Sequence, residues 1–415
     1  MTEGGAGPRQ ATEAEPAPSG PPPPLVVDLD GTLVRSDTLW EGLWAGMAER
    51  PARLRRALPA LASGRAALKA AVSEAAVPDP ATLPYDTRVL DLVRAHRAAG
   101  GRTVLCTAAD RRVAQAVSAH LGLFDEVHAS DGTRNLKGRE KARFLAGRFG
   151  EGGFDYAGDA PADMPVWAAA RRAITVGLAP GRRAAVASRG GAVEHLEGAG
   201  GGPAAHLKLI RPHQWLKNVL IALPLLAAHD LSAASWGVAL LAFAAFSAVA
   251  SAVYVLNDLL DVAADRAHPR KRLRPLAAAT VPLARATAMA PALVALGALL
   301  ALATGSLAFL GVMALYLVLT TAYSLALKRR VVIDICVLAG LYTLRIVAGG
   351  VATGTTLSVW LLAFSIFFFL SLAAVKRLGE LAALPEDGPG QAAGRAYRRD
   401  DRGIVATMAV AAGYL

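Results

Sequence analysis

The chain has 415 residues, 54% of them apolar and 19% charged, with a formal net charge of +11. The apolar share is high for a soluble protein and the charged share is high for a chain made only of membrane helices, so a soluble part joined to a membrane part is expected. The basic residues crowd the loops between apolar runs and no nucleic-acid-binding signature is visible, which argues for membrane orientation and anionic substrates and against a nucleic-acid partner.

Residues 1–24 are rich in Pro, Gly and Glu and lack an apolar h-region, so they read as a disordered tail and not as a secretory signal. From Leu25 to about Gly177, short β-type runs (LVVDLD, TVLCTAAD, FDYAGDA, AITVG) alternate with helical segments. That alternation predicts a doubly wound α/β domain with a parallel sheet, over residues 25–190. An Ala/Leu/Arg-rich insert at about 38–83 predicts a small helical cap, and residues 191–205, with GAGGGP, predict a linker. Cys106 and Cys336 have no CxxC partner, so no zinc site or disulfide is expected. Both read as core residues in a reducing cytoplasm.

Asp28 and Asp30, in DLDGT, end the first strand, where open α/β sheets bind ligands. A lone DxD is most often a turn, but here Thr107 ends the next clear strand, Lys137 follows in NLKG, and Asp159 and Asp163 stand in GDAPAD after a later strand. Carboxylates at such an edge suit a nucleophile beside an acid/base and a hard, oxygen-ligand cation site. The ordered set DxDGT, T, K, GDxxxD resembles the haloacid dehalogenase-like (HAD) phosphohydrolase superfamily over about 160 residues. The resemblance implies that Asp28 is the nucleophile and Asp30 the acid for the leaving group. It implies that Thr107 and Lys137 steady the phosphoryl charge, and that Asp28, Asp159 and Asp163 hold Mg2+. Lys141, one helical turn on, is the alternative to Lys137.

After the linker, residues 206–415 read as an all-α, multi-pass membrane domain, with helices near 218–234, 236–256, 286–304, 307–327, 332–352 and 358–375. A seventh begins near Gly403 and is shorter than a span at Leu415, so the domain reads as C-terminally incomplete or as ending in a half-span. Basic loops alternate with loops nearly free of Lys and Arg. By the positive-inside rule the basic loops and the soluble domain are cytoplasmic, with the helices in the inner (plasma) membrane. Trp215 and Trp360 fall at predicted helix ends and read as interface anchors.

The stretch VLNDLLDVAADRAHPRKRLRP, Val255 to Pro275, places acids and then cations at the end of a span. If the helix continues, Asn257, Asp258, Asp261 and Asp265 share one face. Three carboxylates there repel one another unless a cation sits among them, so a Mg2+ cluster holding a diphosphate is the simplest reading, with the cations beyond meeting the remaining phosphate charge. A solvated loop that only sets orientation is the bland alternative.

NDxxDxxxD in this position resembles the UbiA-type prenyltransferase superfamily. RPHQWLKN, DRAHPRKRLRP, AYSLALKRRVVIDI, LYTLRIVAGG and SLAAVKRLGEL look like its polyprenyl-phosphate phosphoribosyltransferase branch. The resemblance implies Mg2+ held by Asp258, Asp261 and Asp265, with Asn257, Lys217, Arg272, Lys328, Asp334 and Arg345 as substrate-binding candidates. It implies transfer of 5-phosphoribosyl from phosphoribosyl diphosphate (PRPP) to a polyprenyl phosphate, such as decaprenyl phosphate, for cell-wall precursors. The fusion itself, with the intact acid set of the HAD-like domain, adds the expectation that this domain dephosphorylates the product. The second aspartate-rich motif of the superfamily is reduced here to Asp334, beside Tyr323 and Lys328, which fits a donor with an extra phosphate and an anionic acceptor. The alternative is transfer of an isoprenyl chain from its diphosphate to an aromatic acceptor, with a non-catalytic HAD module. His213 and His268 read as structural or phosphate-contacting.

Overall fold

The structure is a computed structural model that describes residues 21–62, 64–131, 134–188, 191–198, 200–384 and 397–415. Most of the expected N-terminal tail, residues 1–20, lies outside the described residues. The chain divides into two compact units. One takes the chain up to Val34 and then Tyr85–Gly198; the other takes Arg35–Pro84 and Ala199–Leu415.

The first unit is built on a six-stranded, all-parallel sheet in the order β3-β2-β1-β4-β5-β6. Its strands are β1 (Leu25–Val27), β2 (Thr103–Asp110), β3 (Glu126–Ser130), β4 (Asp155–Gly158), β5 (Arg172–Val176) and β6 (Ala192–Leu196). β1 is central, and Leu25, Val26 and Val27 are nearly inaccessible, as a strand covered on both faces requires. Val27 pairs with Leu105 on one side and Ala157 on the other, so Asp28 leaves the sheet where the strand order reverses. A core of Val26, Val104, Cys106, Phe154, Tyr156 and Trp167 fixes that edge. The expected linker is shorter than its composition implied, because Ala192–Leu196 adds the edge strand β6.

The second unit holds five helices long and apolar enough to cross a membrane, among the described residues. With the helix that opens the insert, α1 (Thr38–Glu49), the labels run α2 (Ala233–Leu260), α3 (Val262–Ala267), α4 (Leu283–Ala303), α5 (Leu307–Leu325), α6 (Ile333–Thr353) and α7 (Val359–Ala382). The spans are α2, α4, α5, α6 and α7. α2 and α6 are enclosed by protein over 67% and 56% of their apolar windows, against 17% to 22% for the others, so polar groups on these two can avoid lipid. A helix ends the described chain at Arg402–Tyr414.

Two expectations change here. The segment 218–234 is not one span: a 3-10 helix, Pro212–Ala222, runs into a short helix, Leu223–Ala227, and the chain turns at His229 with φ 54°. Pro224 lacks the amide hydrogen that a helix running through 218–234 would need. The insert also folds with the membrane helices and not as part of the α/β unit. Trp44 joins Leu209, Val255, Leu259, Val262 and Leu276 in one apolar cluster, and its indole nitrogen donates to Thr287 Oγ1 at 2.9 Å. Glu41, 3% exposed, takes two hydrogen bonds from Arg266, at 2.8 and 3.0 Å. Arg266 also donates to the carbonyls of Ala277 and Thr82. Cys106 is buried, and burial pushes its thiol up to about 12, whereas Cys336 is exposed on α6 and is no core residue.

Removing one partner of a buried ion pair strands the other, at a cost of about 3–5 kcal/mol. Glu41→Ala is therefore expected to lower the thermal unfolding midpoint of the full chain in detergent sharply. Asp91→Ala, which breaks the exposed pair with Arg94, is expected to leave it nearly unchanged.

Candidate functional sites

In the first unit, Asp28 follows β1 and Asp159 follows β4, so adjacent strands deliver both carboxylates to one edge. The turn after β1 must pass close to Asp159. Gly31 has φ +76°, and a Cβ there would come within 2.1 Å of Asp159 Oδ2, so glycine is required. The one-turn 3-10 helix Pro161–Asp163 brings Asp163 back to the edge, where the Ala160 N–H holds its Oδ2 at 3.1 Å. The ligand oxygens of Asp28, Asp159 and Asp163 lie within 4.8 Å of one another.

Lys141 is the cation among them. Its Nζ, fully buried, is 3.0 Å from Asp28 Oδ2 and 3.8 Å from Asp163 Oδ1, and it donates to Tyr156 Oη at 2.9 Å. Tyr156 in turn donates to Asp163 Oδ1 at 2.9 Å. Burial works against the charge on Lys141, but the pull of Asp28 and Asp163 wins and holds its pKa above the ordinary lysine value. Lys137 is exposed in the loop before this helix, which begins at Arg139, so the structure brings the alternative, Lys141, to Asp28 and not Lys137. Tyr156 was not anticipated; only its place one residue pair before Gly158 on β4 could have pointed to it.

Thr107 is buried near the end of β2, beside a register shift against β3, and its hydroxyl accepts from the Ala109 N–H at 3.0 Å. Asp30 is half-buried in the turn after β1, bridging to Val34.

One lysine does not balance these acids. Burial, then Asp28, Asp163 and Asp30, push Asp159 up to about 8, and burial and Asp28 raise Asp163. An all-oxygen donor set with unbalanced negative charge fits Mg2+, with Asp28, Asp159 and Asp163 as the groups that would hold it.

In the second unit the acid block differs from its expected form. α2 ends at Leu260, Asp261 caps it with ψ 6°, and α3 restarts at Val262. Asp258 and Asp265 are each 2% exposed, while Asp261 is half-buried at the break. Arg274 joins the two buried acids, 3.2 Å from Asp258 Oδ1 and 2.7 Å from Asp265 Oδ2, and Arg211 Nη2 is 2.5 Å from Asp258 Oδ1. Asp258, Asp261 and Asp265 do not converge on one point as the carboxylates of the first unit do, because arginines already neutralise the outer pair. Asp258 Oδ2 and Asp265 Oδ1 are nonetheless buried with no hydrogen-bond partner, so these two residues still fit a divalent cation.

Beside this block a cavity of about 140 Å³ is lined by Lys217, Asn257, Arg345 and four tyrosines, Tyr254, Tyr316, Tyr323 and Tyr342. Arg345 is braced by Asn218 Oδ1 at 2.9 Å and Tyr316 Oη at 3.3 Å, and lies over the rings of Phe246, Tyr316 and Tyr342. Three expected substrate ligands do not reach the cavity. Arg272 is exposed, in the turn whose end carries Arg274. Lys328 sits half-buried in the short 3-10 helix after α5. Asp334 is fully buried, where Tyr323 donates to it at 2.7 Å and Arg377 Nη2 lies at 2.6 Å.

Arg211, Arg274 and Arg377 are the functional candidates outside the expected set; Arg274 alone was signalled, as one cation of the block. Trp215 is half-buried and donates to Ser251 at 2.9 Å, Trp360 is 85% exposed, and His268 Nδ1 accepts turn N–H groups from Arg270 and Lys271.

The UbiA prenyltransferase family matches residues 218–382, and haloacid dehalogenase-like hydrolase matches residues 25–168. The uncharacterized protein y4nM of Sinorhizobium fredii is 40% identical over 385 residues, which cover 91% of this chain and 73% of that protein. The decaprenyl-phosphate phosphoribosyltransferase of Mycobacterium tuberculosis is 44% identical over 183 residues, 42% of this chain and 59% of that protein. The chain thus spans less than two thirds of that relative. A solved structure of a substrate-bound phosphoserine phosphatase matches 41% of this chain and 92% of its own, at 13% identity and a TM-score of 0.30.

A carboxylate whose pKa is raised on folding makes the folded state bind the extra proton, so stability falls as pH rises from the unfolded value to the folded one. For Asp159 that window runs from the ordinary carboxylate range to about 8. In EDTA, hydrogen exchange of β1 and β4, corrected for intrinsic rate, is expected to speed up across this window. Mg2+ or Asp159→Asn is expected to suppress that pH dependence.

Proposed function

We propose, for a chain that belongs to the UbiA prenyltransferase family and carries a haloacid dehalogenase-like domain ahead of its membrane helices, that it transfers 5-phosphoribosyl from PRPP to a polyprenyl phosphate and then removes the 5-phosphate. The observation that carries this reading is the surplus of cations in the membrane unit. Lys217 and Arg345 line the cavity, Arg211 and Arg274 meet the acids beside it, and the one acid of the later motif, Asp334, is already matched by Arg377. Such a site suits a donor with a diphosphate and a further phosphate, and an acceptor that is itself a phosphate. The identity shared with a decaprenyl-phosphate phosphoribosyltransferase supports the same substrates.

In the transfer, a lipid phosphate oxygen forms a bond to C1 of the ribose as the bond from C1 to the diphosphate breaks. Asp258 and Asp265 would hold Mg2+, which supplies charge neutralisation for the diphosphate. Arg211, Arg274 and Lys217 bind phosphate oxygens, and Asn257 and the braced Arg345 orient the donor in the cavity. Because the attacking phosphate is already ionised, no general base is needed. The positive-inside rule, applied to the basic loops, supports a cytoplasmic side of the plasma membrane for this chemistry.

In the first unit, Asp28 attacks the phosphorus of the 5-phosphate and Asp30 gives its proton to the departing ribosyl oxygen. The aspartyl-phosphate is then hydrolysed by water. Lys141 holds Asp28 in place, and Tyr156 and Asp163 hold Lys141. Thr107 is in reach of the phosphoryl oxygens by its position late in β2. Asp28, Asp159 and Asp163 would hold Mg2+.

Membranes carrying the full chain, given Mg2+, polyprenyl phosphate and ribose-labelled PRPP, are expected to move label into the lipid phase. Asp265→Asn, which removes one of the two acids that would hold Mg2+, is expected to lower that by roughly 100-fold. Asp28→Asn is expected to leave transfer intact and accumulate the phosphorylated lipid. Isoprenyl transfer to an aromatic acceptor, with no label entering lipid, would replace this reading with that of a prenyltransferase.

A further inference from the structure

Two buried carboxylates, Asp258 and Asp265, are matched by two guanidiniums, Arg211 and Arg274, before any cation arrives. Each acid nonetheless keeps one buried oxygen without a hydrogen-bond partner, Asp258 Oδ2 and Asp265 Oδ1; the nearest further cation, Lys271 Nζ, is 3.9 Å from the latter. Leaving such an oxygen unpaired costs about 1–3 kcal/mol, so both are held ready for a ligand. A divalent cation arriving alone would add two positive charges to a cluster that is already neutral, in a poorly solvated site, and the arginines would oppose it. A diphosphate removes that opposition, because guanidiniums pair with phosphate oxygens in the same forked geometry that they use with carboxylates.

The exposure pattern suits such an exchange. The acid side chains are 2% to 3% exposed, whereas those of Arg211 and Arg274 are 22% and 30% exposed, so the arginines are the accessible members of these pairs. Arg211 also has φ 52°, a conformation that costs a non-glycine residue about 1–2 kcal/mol, and its guanidinium lies 5.1 Å from the centre of the Tyr254 ring, which lines the cavity.

We propose that Arg274, with Arg211, is a latch that makes entry of the divalent cation and of the diphosphate interdependent. Without donor, the arginines hold Asp258 and Asp265 in place and keep a lone cation out. When a diphosphate arrives, they turn to it and release the carboxylates to the cation. Arg274 is a positioning residue in the first state and a donor ligand in the second. The inference rests on reading this site as one that takes a diphosphate, and it does not depend on which group the diphosphate carries.

The test uses the full chain in nanodiscs with Asp159→Asn, which removes a cation ligand from the α/β unit. Mn2+ binding is followed by electron paramagnetic resonance with and without inorganic diphosphate, after allowing for the complex the two form in solution. Diphosphate is expected to tighten Mn2+ binding by about tenfold, and Mn2+ to tighten diphosphate binding by the same factor. Adding Asp258→Asn is expected to remove the coupled site. Arg274→Gln is expected to tighten Mn2+ binding in the absence of diphosphate and to shrink the coupling to less than about threefold. Arg274→Lys, which keeps the charge but loses the fork, is expected to fall between, and its behaviour decides the matter if Arg274→Gln fails to fold. Mn2+ binding that is equally tight with and without diphosphate, or coupling that survives Arg274→Gln, would overturn the latch. Coupling without ribosyl transfer would sink the phosphoribosyl reading and leave the latch standing. Transfer without coupling would sink the latch alone.

Discussion

Taking a carboxylate out of water costs several kcal/mol unless a cation or hydrogen-bond donors meet it. Both units place carboxylates under that constraint, and they answer it differently. In the α/β unit a single lysine, Lys141, sits between Asp28 and Asp163 and is steadied by Tyr156, leaving a surplus of negative charge at the sheet edge. In the membrane unit, arginines match the acids one for one, and Asp334 is treated in the same way by Arg377. The first arrangement attracts a cation outright. The second is neutral until an anion competes for its guanidiniums.

The backbone makes these arrangements possible. A parallel sheet gathers the carboxyl ends of β1 and β4, so acids far apart in sequence meet without long loops. In the membrane unit the two most enclosed spans, α2 and α6, carry Asn257, Asp258 and Arg345, and lipid-facing helices shield them. Across the break at Asp261 the helical hydrogen bonds to Asn257 and from Asp265 persist, and Arg274 meets an acid on either side of it.

Much of this was legible in the sequence. DLDGT and GDAPAD stood out because they form an ordered set at successive strand ends, where one acid alone would read as a turn, and the long apolar stretches announced four of the five spans within a few residues and the fifth, α7, at its start. What escaped depended on local geometry. Lys137 and Lys141 are one helical turn apart, but Gly138, at φ +57°, ends the loop between them, so only Lys141 lies on the helix that faces the site. Apolar composition over 218–234 hid a proline, Pro224, and a left-handed turn at His229. The edge strands EVHAS and AVEHL are too polar to stand out. Arg211 and Arg377 carry no spacing signal, since tertiary packing alone brings each to its acid.

The insert between β1 and β2 has a consequence for how the chain is made. Glu41 leaves the ribosome 225 residues before Arg266, the group that neutralises it. At roughly 5–20 residues per second, that is about 10–45 s during which α1 carries an unpaired acid, and for most of it the indole faces of Trp40 and Trp44 have no membrane helix to receive them until α2 emerges. The sheet strands β2 to β6 emerge within that interval and can pair around the waiting insert. Nascent chains stalled before Arg266 should therefore carry a formed sheet and an undocked α1, a state open to proteases and chaperones that the finished protein never presents.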